Sequence, residues 1–197
     1  YYTLKAFETC EEIDDIIMVI SEEDEEYIRK EIILKYGLKK ISTIAYGGKE
    51  RYNSVYNALK YIEDNDIVLI HDGARPFVSE RVIAECVEKL KTNDAVLTAL
   101  KINDTVKKAN TEGFVEKTLD RSFLYSAQTP QGVDTAIYMQ ALKEINDLSA
   151  FTDDASIMEY FGKKVLIVEG NPENIKITTQ NDIILANAII KGEEECE

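Results

Sequence analysis

Val68-Leu69-Ile70-His71-Asp72-Gly73-Ala74-Arg75-Pro76-Phe77-Val78 is the stretch from which the rest of the chain is read. Val68, Leu69 and Ile70 form an apolar run without polar alternation, which suits a central parallel strand buried on both faces. The run ends in a carboxylate, a glycine and a guanidinium at the strand's carboxyl end, where open α/β sheets bind ligands. Asp72 offers a hard oxygen for a divalent cation, and Arg75 can grip a phosphate with two parallel hydrogen bonds. Pro76 stops the strand and Ser79 caps the next helix. The plainer alternative is a surface turn with an Asp72–Arg75 ion pair.

Outward from this stretch, strands and helices alternate. A helix over residues 1 to 9 is followed by a strand from Ile13 to Ile20. Ser21 caps an acidic helix, Glu22 to Tyr36, which Gly37 ends. A strand covers Ile41 to Tyr46, and after Gly47-Gly48 a helix runs from Lys49 to Ile62. Glu80 to Lys91 is helical and Asp94 to Leu100 is a strand. Such alternation predicts an α/β domain with a largely parallel sheet and right-handed crossovers. The rhythm breaks at Lys101. Asp104 to Ala109 and Phe114 to Leu119 read as two polar strands joined by Asn110-Thr111-Glu112-Gly113, a hairpin signal. With little apolar surface, this hairpin is a lid or an arm that pairs with another subunit. Ala127 to Gly132 reads as a turn-rich loop. Helices follow at Asp134 to Ile145 and at Asp153 to Phe161, the latter capped by Thr152. Val165 to Glu169 is a strand, Asn174 to Thr178 an extended loop and Asn181 to Lys191 a last helix. An acidic, solvated tail is expected from Glu193 to Glu197.

The 197 residues fit one domain, and 45% of them are apolar, enough for a core. The formal net charge of -14, without a long Lys or Arg run, argues against nucleic-acid or anionic-membrane partners. It leaves room for a local positive pocket and a small phosphorylated substrate. Cys10, Cys86 and Cys196 are odd in number and in no metal-like spacing, so no disulfides and a reducing, cytoplasmic setting are expected. No apolar stretch is long enough to span a membrane.

Several further groups can carry chemistry. Gly47-Gly48-Lys49-Glu50-Arg51 opening a helix permits close backbone approach by an anion, or is simply a tight turn. Ser54 faces the same loop. Arg121 ends the hairpin, and Asp104-Thr105 begins it. Thr152 reads first as an N-cap. Lys176, between two isoleucines in an extended segment, projects opposite to them, towards a pocket or towards solvent. His71 is the sole histidine. A zinc site or histidine-driven acid–base catalysis is therefore improbable. Arg, Lys, Asp and Thr groups around such a sheet suit phosphoryl or nucleotidyl transfer, where positioning and charge stabilisation dominate.

Six ordered blocks, at 47–55, 71–77, 104–107, 120–131, 152–156 and 169–178, give the chain a resemblance to the 2-C-methyl-D-erythritol 4-phosphate cytidylyltransferase family over essentially its whole length. In sequence these include Gly-Gly-Lys-Glu-Arg-Tyr-Asn-Ser-Val, His-Asp-Gly-Ala-Arg-Pro-Phe and Asn-Ile-Lys-Ile-Thr. The resemblance implies a Rossmann-like nucleotidyltransferase sheet with a protruding β-hairpin arm, residues 102–121. It implies a homodimer in which each arm reaches over the partner's site. The reaction it implies joins CTP and a sugar-alcohol phosphate, with Mg2+, to give a cytidine diphosphate product and pyrophosphate. By matched position, Gly48, Lys49, Ser54 and Gly73 bind the nucleotide. Asp72 lies near metal and substrate, and Arg75, Thr105, Thr129 and Thr152 are pocket residues. Arg121 and Lys176 position the substrate phosphate for attack. Ribitol 5-phosphate cytidylyltransferases share the Gln-Thr-Pro-Gln and Asn-Ile-Lys-Ile-Thr blocks. Thr-Asp-Asp-Ala-Ser and Glu-Gly-Asn-Pro-Glu-Asn favour the erythritol enzyme.

The family opens with a strand, a Leu-Ala-Ala-Gly-x-Gly-x-Arg loop and Pro-Lys-Gln, which this sequence does not contain. Either that segment precedes the given sequence, and the enzyme reading stands, or the chain is a truncated relative; if truncated, it is expected to be effectively inactive, short of several kcal/mol of transition-state stabilisation by analogy with roughly 3–4 kcal/mol per oxyanion donor. Without that strand, an unpaired sheet edge is expected. A non-catalytic dimeric binding protein is the alternative from another class.

Overall fold

A computed structural model describes residues 1–63 and 66–194. The first helix, α1 (Tyr2–Thr9), buries Phe7. Strand β1 (Ile16–Ile20) pairs in parallel with β2 (Ile41–Tyr46). Between them lies a helix whose winding changes along its length: a 3-10 turn (Glu22–Asp24), a short α-helix α2 (Glu25–Ile28) and a π-helical stretch (Arg29–Leu34). Ser21 does not cap it as expected; its hydroxyl donates to the Glu23 carboxylate at 3.2 Å instead. Gly37 takes the left-handed conformation, φ 64°, that ends the helix. Helix α3 (Arg51–Leu59) packs on the β1–β2 pair. It starts with a reciprocal capping box between Glu50 and Asn53.

The second sheet has four strands in the order β3 (Ile67–Ile70), β7 (Tyr125–Asp134), β4 (Ala95–Lys101), β8 (Val165–Glu169). β4 and β8 run parallel, as the alternation predicts, whereas β7 is antiparallel to both of its neighbours. Two expectations are corrected here. The Val68–Ile70 strand is not central among the described residues: β3 pairs with β7 alone and lies at the sheet's edge. Both of its faces are nevertheless packed, Leu69 against one core and Val68 and Ile70 against the other. Residues 127–132 are not a loop but the middle of β7. Pro130 is accommodated where the β4–β7 register shifts between Leu97 and Ala99, a place that asks no ladder hydrogen bond of it.

Strand alternation divides the core between the two faces. On one side, α1 and α4 (Glu80–Leu90) bring Phe7, Val82, Ile83, Cys86 and Leu90 against Val96 and Val168. Ser79 caps α4 by accepting from the Val82 N–H. On the other side, α5 (Thr135–Glu144) and α6 (Asp154–Tyr160) bring Tyr138, Leu142, Ile157 and Met158 against Ala95 and Val133. The expected cap of α6 moves by one residue: Asp153, not Thr152, accepts from the Ser156 N–H. The polar hairpin forms as β5 (Lys107–Ala109) and β6 (Val115–Thr118), an antiparallel pair whose strand residues are all exposed. The last helix, α7 (Gln180–Glu194), carries the backbone through the start of the expected acidic tail. The rest of that tail, with Cys196, lies outside the described residues.

Gly132 shows how closely α4 lies on β7. A Cβ there would sit 2.4 Å from Leu90 Cδ1 and 2.8 Å from both Leu69 Cδ2 and Val96 Cγ2. Gly132→Ala should therefore overpack this face and cost about 1–3 kcal/mol. The check is a urea titration, with a lower midpoint at unchanged slope expected; an unchanged midpoint would mean that α4 retreats freely.

Candidate active site

The end of β3 gathers residues from distant parts of the sequence around the Asp72 carboxylate. Lys176 Nζ lies 3.0 Å and Arg75 Nε 3.4 Å from Oδ2, and Arg51 Nε approaches Oδ1 at 3.9 Å. Burial pushes the Asp72 carboxyl up, but the Lys176 hydrogen bond and the three cationic charges outweigh it and hold its pKa below the usual carboxylate range. Lys176 thus points into the site, to a carboxylate remote in sequence. Its segment is tied down where the Ile177 N–H donates to the Ala74 carbonyl at 2.8 Å. Arg75 also donates through Nη1 to the Asn174 carbonyl at 2.8 Å.

His71 and Thr129 hold this loop from beneath. His71 Nε2 is 2.9 Å from the Arg75 carbonyl oxygen, which can only accept, so Nε2 carries the proton. Nδ1 then accepts from the Thr129 hydroxyl at 3.0 Å, and Thr129 Oγ1 accepts from the Asp72 N–H at 3.1 Å. The Thr129 hydroxyl is buried, and its role is to hold Asp72 and His71 in place.

Arg51 joins a second anchor. Its Nη2 donates to Asp154 Oδ2 at 2.6 Å, and the Tyr138 hydroxyl donates to Asp154 Oδ1 at 2.6 Å. The buried Gln131 fixes the start of α6, accepting from the Ala155 N–H at 2.8 Å and donating to Asp153 at 3.1 Å. A small cavity of about 70 Å³ beside Arg51 is lined in part by Glu50, Tyr52, Phe151, Thr152 and Asp153. Exposed Thr152 thus belongs to the site's rim, although it is not the helix cap.

The Gly47-Gly48 loop lies at the start of α3. The Gly48 N–H donates to Ser54 Oγ at 3.0 Å, so Ser54 does face this loop. A Cβ on Gly48 would lie 2.3 Å from Asn53 Cβ, inside the capping box. Lys49 is exposed. Gly73 is also exposed, and its carbonyl accepts from the Thr3 hydroxyl at 2.9 Å. Thr105 and Arg121 stand apart at the base of the arm. Both are exposed, and Arg121 donates to the Asn103 carbonyl. Neither bonds to the Asp72 cluster among the described residues. Arg51 closes the Gly47–Arg51 stretch that the sequence offers as a candidate, and His71 lies in the Val68–Val78 stretch, but local pattern gives neither a part in holding Asp72. Asp154 and Tyr138 are missed by sequence reasoning, because Asp154 reads as a helix-dipole partner and Tyr138 as an ordinary core aromatic.

Among the described residues no group of three His, Cys, Asp or Glu side chains could hold a metal by itself. Asp72 remains a fitting single ligand. It is a hard oxygen donor, and its Oδ1 makes no hydrogen bond among the described residues, the nearest cation being Arg51 at 3.9 Å. Mg2+ carried by nucleotide phosphates asks for only one or two protein carboxylates.

Burial drives the His71 pKa from its ordinary 6.5 down to about 4. The unfolded chain therefore binds the extra proton first, and the stability supplied by neutral His71 is whole above about pH 6.5 and is lost as the pH falls towards 4. Urea midpoints in chelator-containing buffer should decline more steeply over this range for the wild type than for His71→Gln, which has no ring to protonate. Parallel declines would show that His71 does not titrate in this way.

The IspD family, 2-C-methyl-D-erythritol 4-phosphate cytidylyltransferase, matches residues 1–192. A relative of that name from Clostridium beijerinckii is 46% identical over 193 residues, covering 98% of this chain and 85% of its own length. One from Alkaliphilus metalliredigens is 42% identical, over 100% of this chain and 84% of its own. Among solved structures, the 4-diphosphocytidyl-2C-methyl-D-erythritol synthase of Anaerococcus prevotii superposes with a TM-score of 0.87 at 37% identity, covering 96% of this chain and 84% of that one. These matches span nearly every residue described above, and the chain belongs to the 2-C-methyl-D-erythritol 4-phosphate cytidylyltransferase family.

Proposed function

We propose that the protein transfers a cytidylyl group from CTP to 2-C-methyl-D-erythritol 4-phosphate, giving 4-diphosphocytidyl-2-C-methyl-D-erythritol and pyrophosphate in isoprenoid biosynthesis. The observation that carries this reading is the family match across residues 1–192, which includes the Arg51, Arg75 and Lys176 cluster around Asp72. The relatives named above carry the erythritol substrate in their names, which favours it over ribitol 5-phosphate.

In the reaction, a phosphate oxygen of the sugar-alcohol phosphate attacks the α-phosphorus of CTP. The bond from that phosphorus to the bridging oxygen breaks, and pyrophosphate leaves. The protein's task is to position two polyanions and offset their charge. Gly48, Lys49, Ser54 and Gly73 receive the nucleotide, Gly48 and Ser54 being held together by their hydrogen bond. Asp72, Arg75, Thr105, Thr129 and Thr152 serve the sugar-alcohol phosphate pocket, Thr129 from beneath. Lys176 and Arg121 position the attacking phosphate. Asp72 would hold Mg2+, which supplies charge neutralisation to the phosphates when bound.

Arg121 and Thr105 enter a site as part of a neighbour's arm, so the working unit is a homodimer. Phe114, Val115 and Phe123 support this: they are 69%, 62% and 81% exposed on and beside the arm, an apolar surface that a partner would cover. No helix among the described residues is long and apolar enough to cross a membrane, and the separately buried thiols of Cys10 and Cys86 fit a cytoplasmic setting.

Arg121→Ala and Lys176→Ala should each lower kcat/KM by about 10²–10³ with little change in melting temperature. Wild-type rates in both would remove these assignments. Sedimentation at micromolar concentration should give a dimer. Mixing the two variants in equal amounts should restore about a quarter of the sites, because each heterodimer has one site built from two intact contributions. No recovery would place Arg121 in its own subunit's site.

A further inference from the structure

We infer that Arg51 is a positioning residue for the reaction, and that the buried Asp154–Tyr138 pair exists to hold it against Asp72. The inference rests on the cytidylyltransferase reading of the Asp72 site. It begins with burial: Asp154 and Tyr138 are both 0% exposed. A carboxylate at that depth is tolerated only with full pairing, and its two oxygens are shared between the Tyr138 hydroxyl and Arg51 Nη2, each at 2.6 Å. Burial would lower the Arg51 pKa, but the Asp154 hydrogen bond and charge more than restore it, so the guanidinium keeps its proton firmly.

The same guanidinium faces two carboxylates from different elements. Nη2 is spent on Asp154, at the start of α6, and Nε is turned to Asp72 Oδ1 at 3.9 Å, beyond the end of β3. At that distance the contact is a Coulombic restraint, not a hydrogen bond. It leaves Oδ1 open to a ligand while opposing the pull of Lys176 and Arg75 on Oδ2. Arg51 is also the first residue of α3, next to the Glu50 cap and the Gly47-Gly48 loop. One side chain therefore ties the nucleotide loop, the Asp72 carboxylate and the α6 start to one another. A lysine could not do this, because it lacks separate donors fixed in one plane.

The test is made by steady-state turnover of CTP and 2-C-methyl-D-erythritol 4-phosphate. Arg51→Met should lower kcat about 10²-fold, the scale of a misplaced reacting group. Tyr138→Phe, which keeps the ring and its packing, should lower kcat about tenfold, as loss of an outer orienting partner does. The discriminating result is epistasis: Arg51→Met combined with Asp72→Asn should be no slower than Asp72→Asn alone. Multiplying losses, or an Arg51→Met enzyme within twofold of wild type, would overturn the inference. A second readout is independent of turnover. The Arg51 Nη2–H signal in 15N-resolved NMR, from the group that donates to Asp154, should be protected from exchange in the wild type and become fast-exchanging in Asp154→Asn. Free exchange in the wild type would also overturn the inference. A protected signal in a protein that transfers no cytidylyl group would instead count against the reaction assigned above and leave the Arg51 anchor standing.

Discussion

Gln128, Thr129, Pro130 and Gln131, consecutive and all buried on β7, are the constraint on which both fold and site depend. Buried polar groups cost several kcal/mol each unless they are paired, and this strand pairs them with the elements that shape the site. Thr129 serves His71 and Asp72 through its hydroxyl, and its carbonyl accepts from Asn174 at 2.7 Å. The Pro130 carbonyl accepts from the Thr98 hydroxyl at 2.7 Å. Gln131 holds the turn into α6. The loop after β3, the segment before Lys176 and the start of α6 are thus all registered on one strand. Because β7 enters from the arm, the same strand links the site to the proposed dimer contact.

The electrostatic arrangement answers a difficulty set by composition. The chain carries a formal net charge of -14, a poor field for two phosphorylated substrates. Around Asp72 the balance is reversed locally: three cations face one carboxylate. Asp72 keeps those cations from repelling one another while no substrate is bound, and Lys176, 47% exposed, is the one best able to turn towards an arriving phosphate. Charge is concentrated at the mouth and offset beneath it, with the remainder of the acidic surface left to solvation.

Those parts of the fold written in local pattern were legible in the sequence. The helix stops at Gly37, Ser79 caps α4, and the Asn110–Gly113 turn closes the hairpin, with Gly113 at φ 88°. Each is set by residues within a few positions. The Asp72 and Arg75 pair was legible for the same reason. β7 was not, because Gln-Thr-Pro-Gln consists of residues that favour turns, and only partners far away in sequence make a buried strand of them affordable. The direction of β7 was hidden likewise, since the arm interposed before it frees the chain to return antiparallel. Local pattern leaves open which way Lys176 points, to pocket or to solvent, because its carboxylate partner is remote in sequence. Thr152 looked like the cap of α6 because Asp153 beside it is an equally good capping residue.

The site holds one of its two supports neutral and the other anionic, and the partners explain why. His71 must hold a carbonyl, that of Arg75, and accept from a hydroxyl, that of Thr129. A neutral imidazole does both, and burial keeps it neutral by lowering its pKa to about 4. Asp154 must hold a guanidinium, which only an anion does well in a buried place. Such a pair is a weak source of stability, because desolvation takes back much of the Coulombic gain. An apolar pair of similar volume would fill the space between α5 and α6 at no such cost. What it could not do is fix the direction of Arg51 relative to Asp72. The buried charge therefore makes sense as a device of position: a rigid arm of hydrogen bonds from Tyr138 through Asp154 to the cation that, among the described residues, faces Oδ1 of Asp72.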